Sequence, residues 1–239
     1  MNWIYEGILR NGNLPFKVRK LDAEDLEEIL EVQKQVVQAM EGPGILQPLT
    51  KEEYQYILEG KGLMIGAFVG NDLIAFRALL IPPIDEEHLG RDIGLAENEL
   101  RKVLYQEISN VLPDYRGNHL QKILAARIME ELGKDIQHFR YICCTVAPFN
   151  IPSLKDKFAQ GMRIAGLKEK YGGSLRYIFV KDLEETEEKA TLFQESTRIK
   201  MGDIEVQKRI ISQGWQAVRM EEDEGAHWVV YVYDGDRHC

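Results

Sequence analysis

Apolar positions in the first half of the chain fall into segments with two different periods. Spacings of three and four residues are typical of a helix face, and short apolar runs bounded by turn residues are typical of strands. These patterns predict a strand over Phe16–Leu21, a helix from Asp22 to about Met40, a short helix over Lys51–Leu58, and a β-hairpin of Leu63–Val69 and Leu73–Ile81. Thr50 followed by Glu53 predicts a capping box at the start of the short helix.

The middle of the chain alternates strands and helices, after a charged stretch over residues 82–102 that favours no single element. The predicted order is a strand over Val103–Leu112, a helix over Gly117–Leu132, a strand over Phe139–Val146, a helix over Ile151–Gln160, and two strands joined near Gly172 that end at Val180. A strand, a helix and a strand joined by a short loop favour a parallel, right-handed crossover. The pattern therefore predicts an α/β (α+β) domain with a mixed sheet.

The last part of the chain shows a related pattern. Glu184–Lys200 is charged and predicts a connecting helix or a linker, Asp203–Gln213 predicts a helix, and Ala217–Met220 and Trp228–Tyr233 predict strands. Residues 150–182 and 203–235, aligned without gaps, share six identities in 33 positions. A duplication would explain these identities, and so would the stop glycine and apolar strands that any two helix–strand–strand units share.

Charge separates these two parts of the chain. The 239 residues include 39 Asp and Glu and 30 Lys and Arg, which gives a formal net charge of -9. Residues 182–239 contain 14 acidic and 7 basic side chains, so they carry -7 of that charge and the rest of the chain is nearly neutral. We therefore predict one domain over residues 1–182 and an acidic α-β-β extension over residues 183–239.

Composition also excludes several classes of protein. No apolar run approaches the roughly 20 residues of a membrane helix, the N-terminus lacks the layout of a secretory signal, and the acidic balance argues against nucleic-acid binding. With three cysteines, two of them the neighbours Cys143 and Cys144, the chain has neither a disulfide framework nor a thiolate metal site. The pair is expected in the core of a strand, and we expect a cytoplasmic protein without a metal.

The segment from Val111 to Gln121 carries the most informative chemistry. Its predicted strand ends at Pro113, and its predicted helix begins near Gly117. Backbone N–H groups at the N-terminus of a helix suit a pyrophosphate, and Arg116 could add a bidentate contact to it. The alternative is a well-capped core helix that carries an exposed arginine.

Here the chain resembles the GNAT superfamily of acetyltransferases. The signature of that family is a strand, then V-x-P-x-x-R-G-x-G-x-G or a close variant, then a helix. Five residues match the signature: Val111, Pro113, Arg116, Gly117 and Leu120. A second family marker is a strand followed by an Asn-led helix that ends in glycine, and Asn150, Ser153 and Gly161 supply it. The resemblance covers roughly residues 16–182.

The resemblance implies a GNAT-like fold and the direct transfer of an acetyl group from acetyl-CoA to an amine. The implied binding residues for acetyl-CoA are Asn110, Val111, Leu112, Arg116, Gly117, Asn118, His119, Leu120, Gln121, Asn150 and Ser153. The strand residues among them would pair with the pantetheine chain, and an N–H group near Val111 would polarise the thioester carbonyl.

Three positions depart from the family pattern. His119 and Gln121 replace two glycines of the signature. Glycine at these positions would let the backbone approach the phosphates closely. His119 is either a phosphate ligand or a solvated residue at the helix start. Lys157 replaces the tyrosine that often serves as general acid, and it is either a proton donor or a surface lysine.

The general base must be a group close to the amine, and Glu107 is the candidate. Period-2 alternation predicts that Glu107, Ser109 and Val111 share one face of the strand. The family often places its base in this region, although Glu107 could also be a glutamate at the rim that never meets a substrate.

The resemblance implies only that the acceptor is an amine, on either a small molecule or a peptide. Its pocket is expected around Glu41–Leu49, and the acidic extension could face a cationic acceptor. A homodimer stays open. The alternative function is a non-catalytic CoA-binding or protein-interaction module, which the missing glycines and tyrosine would explain.

Overall fold

The computed structural model describes residues 2–40, 47–135, 139–185 and 195–233. It divides into two compact units, which do not coincide with the division predicted at residue 182. The N-terminal unit comprises Met1–Pro82 and Tyr105–His138, and the C-terminal unit comprises Pro83–Leu104 and Phe139–Cys239. Among the described helices, none combines the length and the apolar character that crossing a membrane requires.

The N-terminal unit is an antiparallel sheet with helices. Its strands are β1 Trp3–Ile8, β2 Pro15–Lys20, β3 Gly62–Val69, β4 Asp72–Leu80 and β5 Val103–Val111, which begins just before the boundary between the units. Each strand pairs with the next one in an antiparallel orientation. The helices are α1 Leu26–Gln38, α2 Lys51–Tyr56 and α4 Leu120–Asp135, and α3 Leu89–Asp92 belongs to the C-terminal unit.

The predicted strands and helices of this unit are confirmed within a few residues, but β1 was not predicted. Its residues are partly exposed on both faces, so they carry no alternating pattern. It is a strand because β2 supplies its hydrogen-bonding partner. At α2, the predicted capping box is present: Thr50 N–H donates to Glu53 Oε2 at 2.7 Å, and Glu53 N–H donates to Thr50 Oγ1 at 3.2 Å.

A buried glutamine joins α1 to α2. The Oε1 atom of Gln33 accepts hydrogen bonds from Leu49 N–H at 2.9 Å and from the Tyr54 hydroxyl at 2.7 Å, while its Nε2 atom donates to the Leu49 carbonyl at 2.8 Å. These bonds fix Leu49, the last residue of the predicted acceptor segment. Residues 41–46 of that segment lie outside the described residues.

The C-terminal unit contains a six-stranded antiparallel sheet. Its strands are β6 Tyr141–Val146, β7 Arg163–Lys170, β8 Ser174–Asp182, β9 Glu195–Lys200, β10 Gln216–Asp223 and β11 Ala226–Tyr233, in the order β6-β8-β7-β10-β11-β9. Its other helices are α5 Ile151–Ala159 and α6 Ile204–Ser212. Glu195–Lys200 was predicted as part of a helix or a linker, and this prediction is wrong because the segment pairs with β11 along its whole length.

This sheet is built from two copies of one β-α-β-β arrangement. The β7–β8 pairing has a bulge between Ile164 and Gly166, and the β10–β11 pairing has one between Ala217 and Arg219. These positions differ by 53 residues, the same offset that aligns 150–182 with 203–235. Ile164 pairs with Ala217, its own counterpart, so the β7–β10 pair lies on a local twofold axis. The shared helix–strand–strand topology is confirmed. The strand before each helix, β6 in the first copy and β9 in the second, extends the repeat by one strand.

A second buried glutamine joins the two copies. The Oε1 atom of Gln207 on α6 accepts hydrogen bonds from the hydroxyls of Tyr177 on β8 and Tyr231 on β11, both at 2.7 Å. Its Nε2 atom donates to the carbonyl of Met201 at 2.8 Å. The periodicity of α6 does not distinguish Gln207 from a polar surface residue, because only the tertiary structure places these partners around it.

Replacement of Gln207 by Met should lower the free energy of unfolding by about 2–4 kcal/mol, since it leaves buried polar groups without partners. Denaturant unfolding measures this change. Arg209→Met, at an exposed position of the same helix, is the control and should change stability by less than about 0.5 kcal/mol. Equal effects of the two substitutions would contradict the role assigned to Gln207.

Candidate functional site

The candidate anion site is formed where β5 leads into α4. Pro113–Tyr115 form a single 3-10 turn after β5, and α4 begins at Leu120, three residues later than predicted. The first α-helical hydrogen bond runs from Ile123 N–H to the carbonyl of His119 at 3.0 Å. The N–H groups just before Ile123 therefore lack a helical acceptor within the described chain, and they lie at the positive end of the helix dipole.

The loop before α4 uses two left-handed residues. Gly117 has φ +80° and His119 has φ +57°. His119 replaces a glycine of the GNAT signature, yet it adopts a conformation that glycine reaches without steric cost. Holding an L-residue there costs roughly 1–2 kcal/mol, which the neighbouring contacts must offset. The substitution therefore preserves the backbone course of the loop.

Asn118 ties this loop to the β1–β2 turn. Its Oδ1 atom accepts a hydrogen bond from Asn11 N–H at 2.8 Å, and its Nδ2 atom donates to the Tyr115 carbonyl at 3.0 Å. Both polar atoms of this buried side chain thus have protein partners, and their bonds hold the loop against the β1–β2 turn. Leu120 is also buried, so its N–H group rather than its side chain is relevant to an anion.

The basic residues near the loop differ in their exposure and in their ion pairing. Arg116, His119 and Lys122 are exposed, as is Gln121. Arg127 forms an ion pair with Glu130 at 2.7 Å. The loop thus combines helix N–H groups with exposed basic side chains, a combination that fits a pyrophosphate.

A β-bulge lies at Glu107 in β5. Gln106 pairs with Leu79 and Ile108 pairs with Ala78, so Glu107 has no partner on β4. Arg77 pairs with Ser109 and also donates to Gln106 Oε1 at 2.6 Å. Gln106 and Ser109 therefore share one face although they are three positions apart, as a bulge between them requires.

The bulge overturns the predicted common face of Glu107, Ser109 and Val111. Ser109 and Val111 lie on the face of Arg77, whereas Ile108 packs in the core formed with α1 and α2. Glu107 lies close to Glu53 and Tyr54 of α2, so it is on the α1–α2 side. Simple alternation failed because one additional residue breaks the two-residue period.

The surroundings of Glu107 favour its neutral form. Burial, with a smaller contribution from the carboxylate of Glu53, raises the pKa of Glu107 to about 7. Burial also raises the pKa of the nearby Tyr54 phenol, and the charge of Glu107 adds to that shift. Among the described residues Glu107 has no hydrogen-bond or ion-pair partner, so its carboxyl group can take up or release a proton near neutral pH.

Asn110 is a buried amide on the same side of β5. It is 1% exposed and pairs with Phe76, which belongs to the core beneath α1 and α2. Neither its Oδ1 nor its Nδ2 atom has a hydrogen-bond partner in the described structure. The family resemblance implies only backbone pairing for Asn110, but an unpaired buried amide also suits a polar group of a ligand.

The backbone at the end of β5 corrects another expectation. Leu112 N–H donates to the carbonyl of Ile74 at 3.0 Å, so it is not available to a cofactor. Val111 faces Ala75 as the adjacent, non-hydrogen-bonded pair. Its N–H and carbonyl groups therefore point away from β4, as pairing with an extended ligand would require.

The remaining predicted site residues belong to the C-terminal unit. Asn150 caps α5, with its Oδ1 atom accepting a hydrogen bond from Ser153 N–H at 3.2 Å. Lys157 is buried and forms an ion pair with Asp156 at 3.3 Å, so it is not a surface lysine. Cys143 and Cys144 are both buried, as predicted, and burial raises the pKa of the Cys143 thiol.

Comparison with known proteins defines the fold. No family model and no curated protein matches the sequence. Solved structures do match: the GNAT domain of PAT from S. lividans has a TM-score of 0.53 and 16% identity and covers 75% of this chain and 96% of its own. Ribosomal-protein-S18-alanine N-acetyltransferase from Escherichia coli has a TM-score of 0.53 and 14% identity, and the match covers 72% of this chain and 97% of that one. NAA60 from Arabidopsis thaliana has a TM-score of 0.53 and 17% identity, and the match covers 71% of this chain and 99% of that one.

The chain therefore has the GNAT acetyltransferase fold, a mixed α/β fold with a mixed sheet, as its motifs predicted.

Asn110→Leu should raise the free energy of unfolding by about 1–3 kcal/mol, because it removes a buried amide without partners. Asn118→Leu is the matched comparison and should lower stability, because both of its amide atoms are hydrogen-bonded. Denaturant unfolding of the two variants tests these opposite signs. A loss of stability in both would show that the Asn110 amide is satisfied within the protein.

The stability of the protein should depend on the ionisation of Glu107. Its pKa is raised from 4.5 to about 7 on folding, so the folded state is penalised as pH rises through this range. Relative to the wild type, Glu107→Gln should have similar stability at pH 4 and higher stability at pH 8. Urea unfolding at both pH values measures the difference, and a constant difference would contradict the assignment.

Proposed function

We propose that this protein is an acetyl-CoA-dependent N-acetyltransferase that acts on an amine. The observation that carries the proposal is Glu107, a carboxyl group with a pKa of about 7 on β5, the strand that leads into the loop before α4. A general base works best when its pKa lies near the working pH. The GNAT fold supports the same reaction class.

Acetyl-CoA as the acyl donor is supported by the loop and by structural neighbours. NAA60 from Arabidopsis thaliana was solved with acetyl-CoA, and PaiA from Thermoplasma acidophilum was solved with coenzyme A. In this chain, the N–H groups just before Ile123, at the start of α4, and the guanidinium of Arg116 would hold the pyrophosphate. The backbone of Val111 would pair with the pantetheine chain.

The chemistry required of the protein is modest. The donor supplies an activated thioester carbonyl. Glu107, in its ionised form, would accept a proton from the amine as the new C–N bond forms and the C–S bond breaks. The departing sulfur then takes up a proton from solvent. Asn110 would supply an amide donor and acceptor that position a polar group of a substrate on the same side of β5.

A non-catalytic CoA-binding module is the second candidate. The ion pair of Lys157 with Asp156 favours it, because Lys157 is then not free to protonate a departing thiolate. His119 and Gln121, at the glycine positions of the signature, are compatible with either function.

The acceptor class and the location of the protein belong to the same proposal. A small-molecule or peptide amine in the cytoplasm fits the buried free cysteines Cys143 and Cys144. The acidic extension would favour a cationic acceptor.

Thermal shift with acetyl-CoA and CoA, followed by thiol release across a panel of amines, distinguishes the two candidates. Stabilisation by both ligands together with amine-dependent thiol release supports the acetyltransferase. Stabilisation without thiol release supports the binding module. An absence of stabilisation at millimolar ligand would contradict both.

Glu107→Gln should lower kcat by about 100-fold or more, because it removes the proton acceptor but no CoA contact. In the wild type, kcat/KM should rise with pH through about 7, and Glu107→Gln should lose this dependence. Steady-state kinetics from pH 5.5 to 9 measure both effects, and titration with CoA should give an unchanged Kd.

Glu53→Gln is the matched variant for this pH profile. Glutamine can replace glutamate in a capping box, so α2 should remain intact while the negative charge near Glu107 is lost. The pKa of Glu107, and with it the midpoint of the profile, should therefore move to lower pH. If Glu107→Gln and Glu53→Gln both keep the wild-type midpoint of the pH profile, Glu107 is not the base.

A further inference from the structure

A buried hydroxyl group is close to both Gln33 of α1 and Glu107, the candidate base. Tyr54 on α2 is fully buried, and its hydroxyl donates to the Oε1 atom of Gln33 at 2.7 Å. Burial raises the pKa of this phenol and the charge of Glu107 adds to the shift, so the phenol and the carboxyl group are neighbours. The hydroxyl therefore has two candidate acceptors and a single proton to donate.

The acceptor atom of Gln33 is held in one orientation. Gln33 is buried, and its amide is bonded at both ends to the backbone of Leu49. Its Oε1 atom accepts from the Leu49 N–H at 2.9 Å, and its Nε2 atom donates to the Leu49 carbonyl at 2.8 Å. The oxygen of the amide therefore faces Tyr54, because turning the amide around would break both bonds to Leu49.

The ring of Tyr54 is also fixed. It packs edge-to-face against Phe76 of β4 with the ring centres 5.8 Å apart. Both rings are fully buried in the core formed with α1 and α2. Packing thus sets the position of the hydroxyl oxygen, and only the direction of the O–H bond can change. In this structure the bond is directed at Gln33.

Glu107 has no comparable restraint. Its carboxyl group lies at the bulge of β5, and it has no hydrogen-bond or ion-pair partner among the described residues. The titratable groups that face it from the described elements are Glu53 and Tyr54, both on α2, while Arg77 lies on the other face of β5. An ionised Glu107 would accept the Tyr54 proton if that proton were available, because a charge-assisted hydrogen bond is roughly twice as strong as a neutral one.

We propose that Gln33 is a positioning residue for the candidate base, because it engages the hydroxyl proton of Tyr54 and so leaves the carboxylate of Glu107 without a hydrogen-bond donor. The catalytic role of Glu107 itself rests on the proposed function. A hydrogen bond to the charged form of a carboxyl group lowers its pKa. By preventing such a bond, Gln33 preserves the effects of burial and of Glu53, which raise the pKa of Glu107 to about 7.

Gln33→Met tests the proposal, because it removes the acceptor and leaves the Tyr54 proton free to reach Glu107. The midpoint of the pH dependence of kcat/KM should move to lower pH by about one unit. A carbon-13 NMR titration of the glutamate carboxyl groups should show the same change without substrates, with Glu107→Gln used to assign the Glu107 signal. The titration gives the pKa of Glu107 whether or not the protein transfers an acetyl group.

Tyr54→Phe is the matched control, since it keeps the aromatic ring and removes the proton. Alone, it should leave the pKa of Glu107 within about 0.3 of the wild-type value, because burial and Glu53 remain. In the double variant Gln33→Met/Tyr54→Phe, the pKa should return to the wild-type value. This reversal separates the positioning role from a general loosening of the core, which the loss of a hydroxyl would not repair.

Two further variants cover the case in which Gln33→Met does not fold. The amide of Gln33→Asn is one methylene shorter, so it keeps a polar group for the Leu49 backbone but withdraws the acceptor from Tyr54. The pKa of Glu107 should again fall. Gln33→Glu keeps an acceptor for the Tyr54 proton, so in this variant the pKa should not fall. Circular dichroism and the thermal midpoint without ligands report the folding of each variant.

An unchanged pKa of Glu107 in the folded Gln33→Met or Gln33→Asn variant would overturn the inference. A rise in Tyr54→Phe would also overturn it, because Tyr54 would then already donate to Glu107 in the wild type. If the pKa follows the expected pattern while no amine is acetylated, the effect of Gln33 on Glu107 stands and the proposed function fails. If amines are acetylated and the pattern is absent, only the inference about Gln33 fails.

Discussion

One additional residue in β5 is the constraint on which the candidate site depends. Because Glu107 has no partner on β4, the strand changes the faces of its side chains at this point. The bulge places Glu107 beside α2, where burial and the carboxylate of Glu53 raise its pKa to about 7. It leaves Ser109 on the opposite face with Arg77. The position of the bulge thus decides which polar side chain of β5 lies beside α2 and has a raised pKa.

The loop after β5 depends on a second constraint, a backbone that stays left-handed at His119 as well as at Gly117. Asn118 stabilises this course through hydrogen bonds to both sides, one of them to the β1–β2 turn. The N-terminal hairpin therefore contributes to the same region as the loop between β5 and α4. Departures from the family signature at this loop change its side chains more than its backbone.

In each unit a buried glutamine also joins segments that are far apart in the sequence. Gln33 connects α1 with Leu49 and α2, and Gln207 connects α6 with β8 and β11. Gln207 lies in the acidic extension, yet one of its partners lies in the preceding β-α-β-β copy. The extension is therefore continuous in packing with the copy before it, and its charge describes its surface rather than a separate core.

Local patterns determined much of this protein, since the helix periods, the capping box at Thr50, the hairpin glycines and the Arg116–Gly117 motif are all short-range signals. They were sufficient to predict most elements, the GNAT fold and Glu107 as a candidate. Only the tertiary structure decided β1 and β9, which are strands because β2 and β11 pair with them. It also decided the face of Glu107 and the unpaired amide of Asn110. Strand pairing, bulges and burial depend on partners distant in the chain, and a local pattern carries no information about those partners.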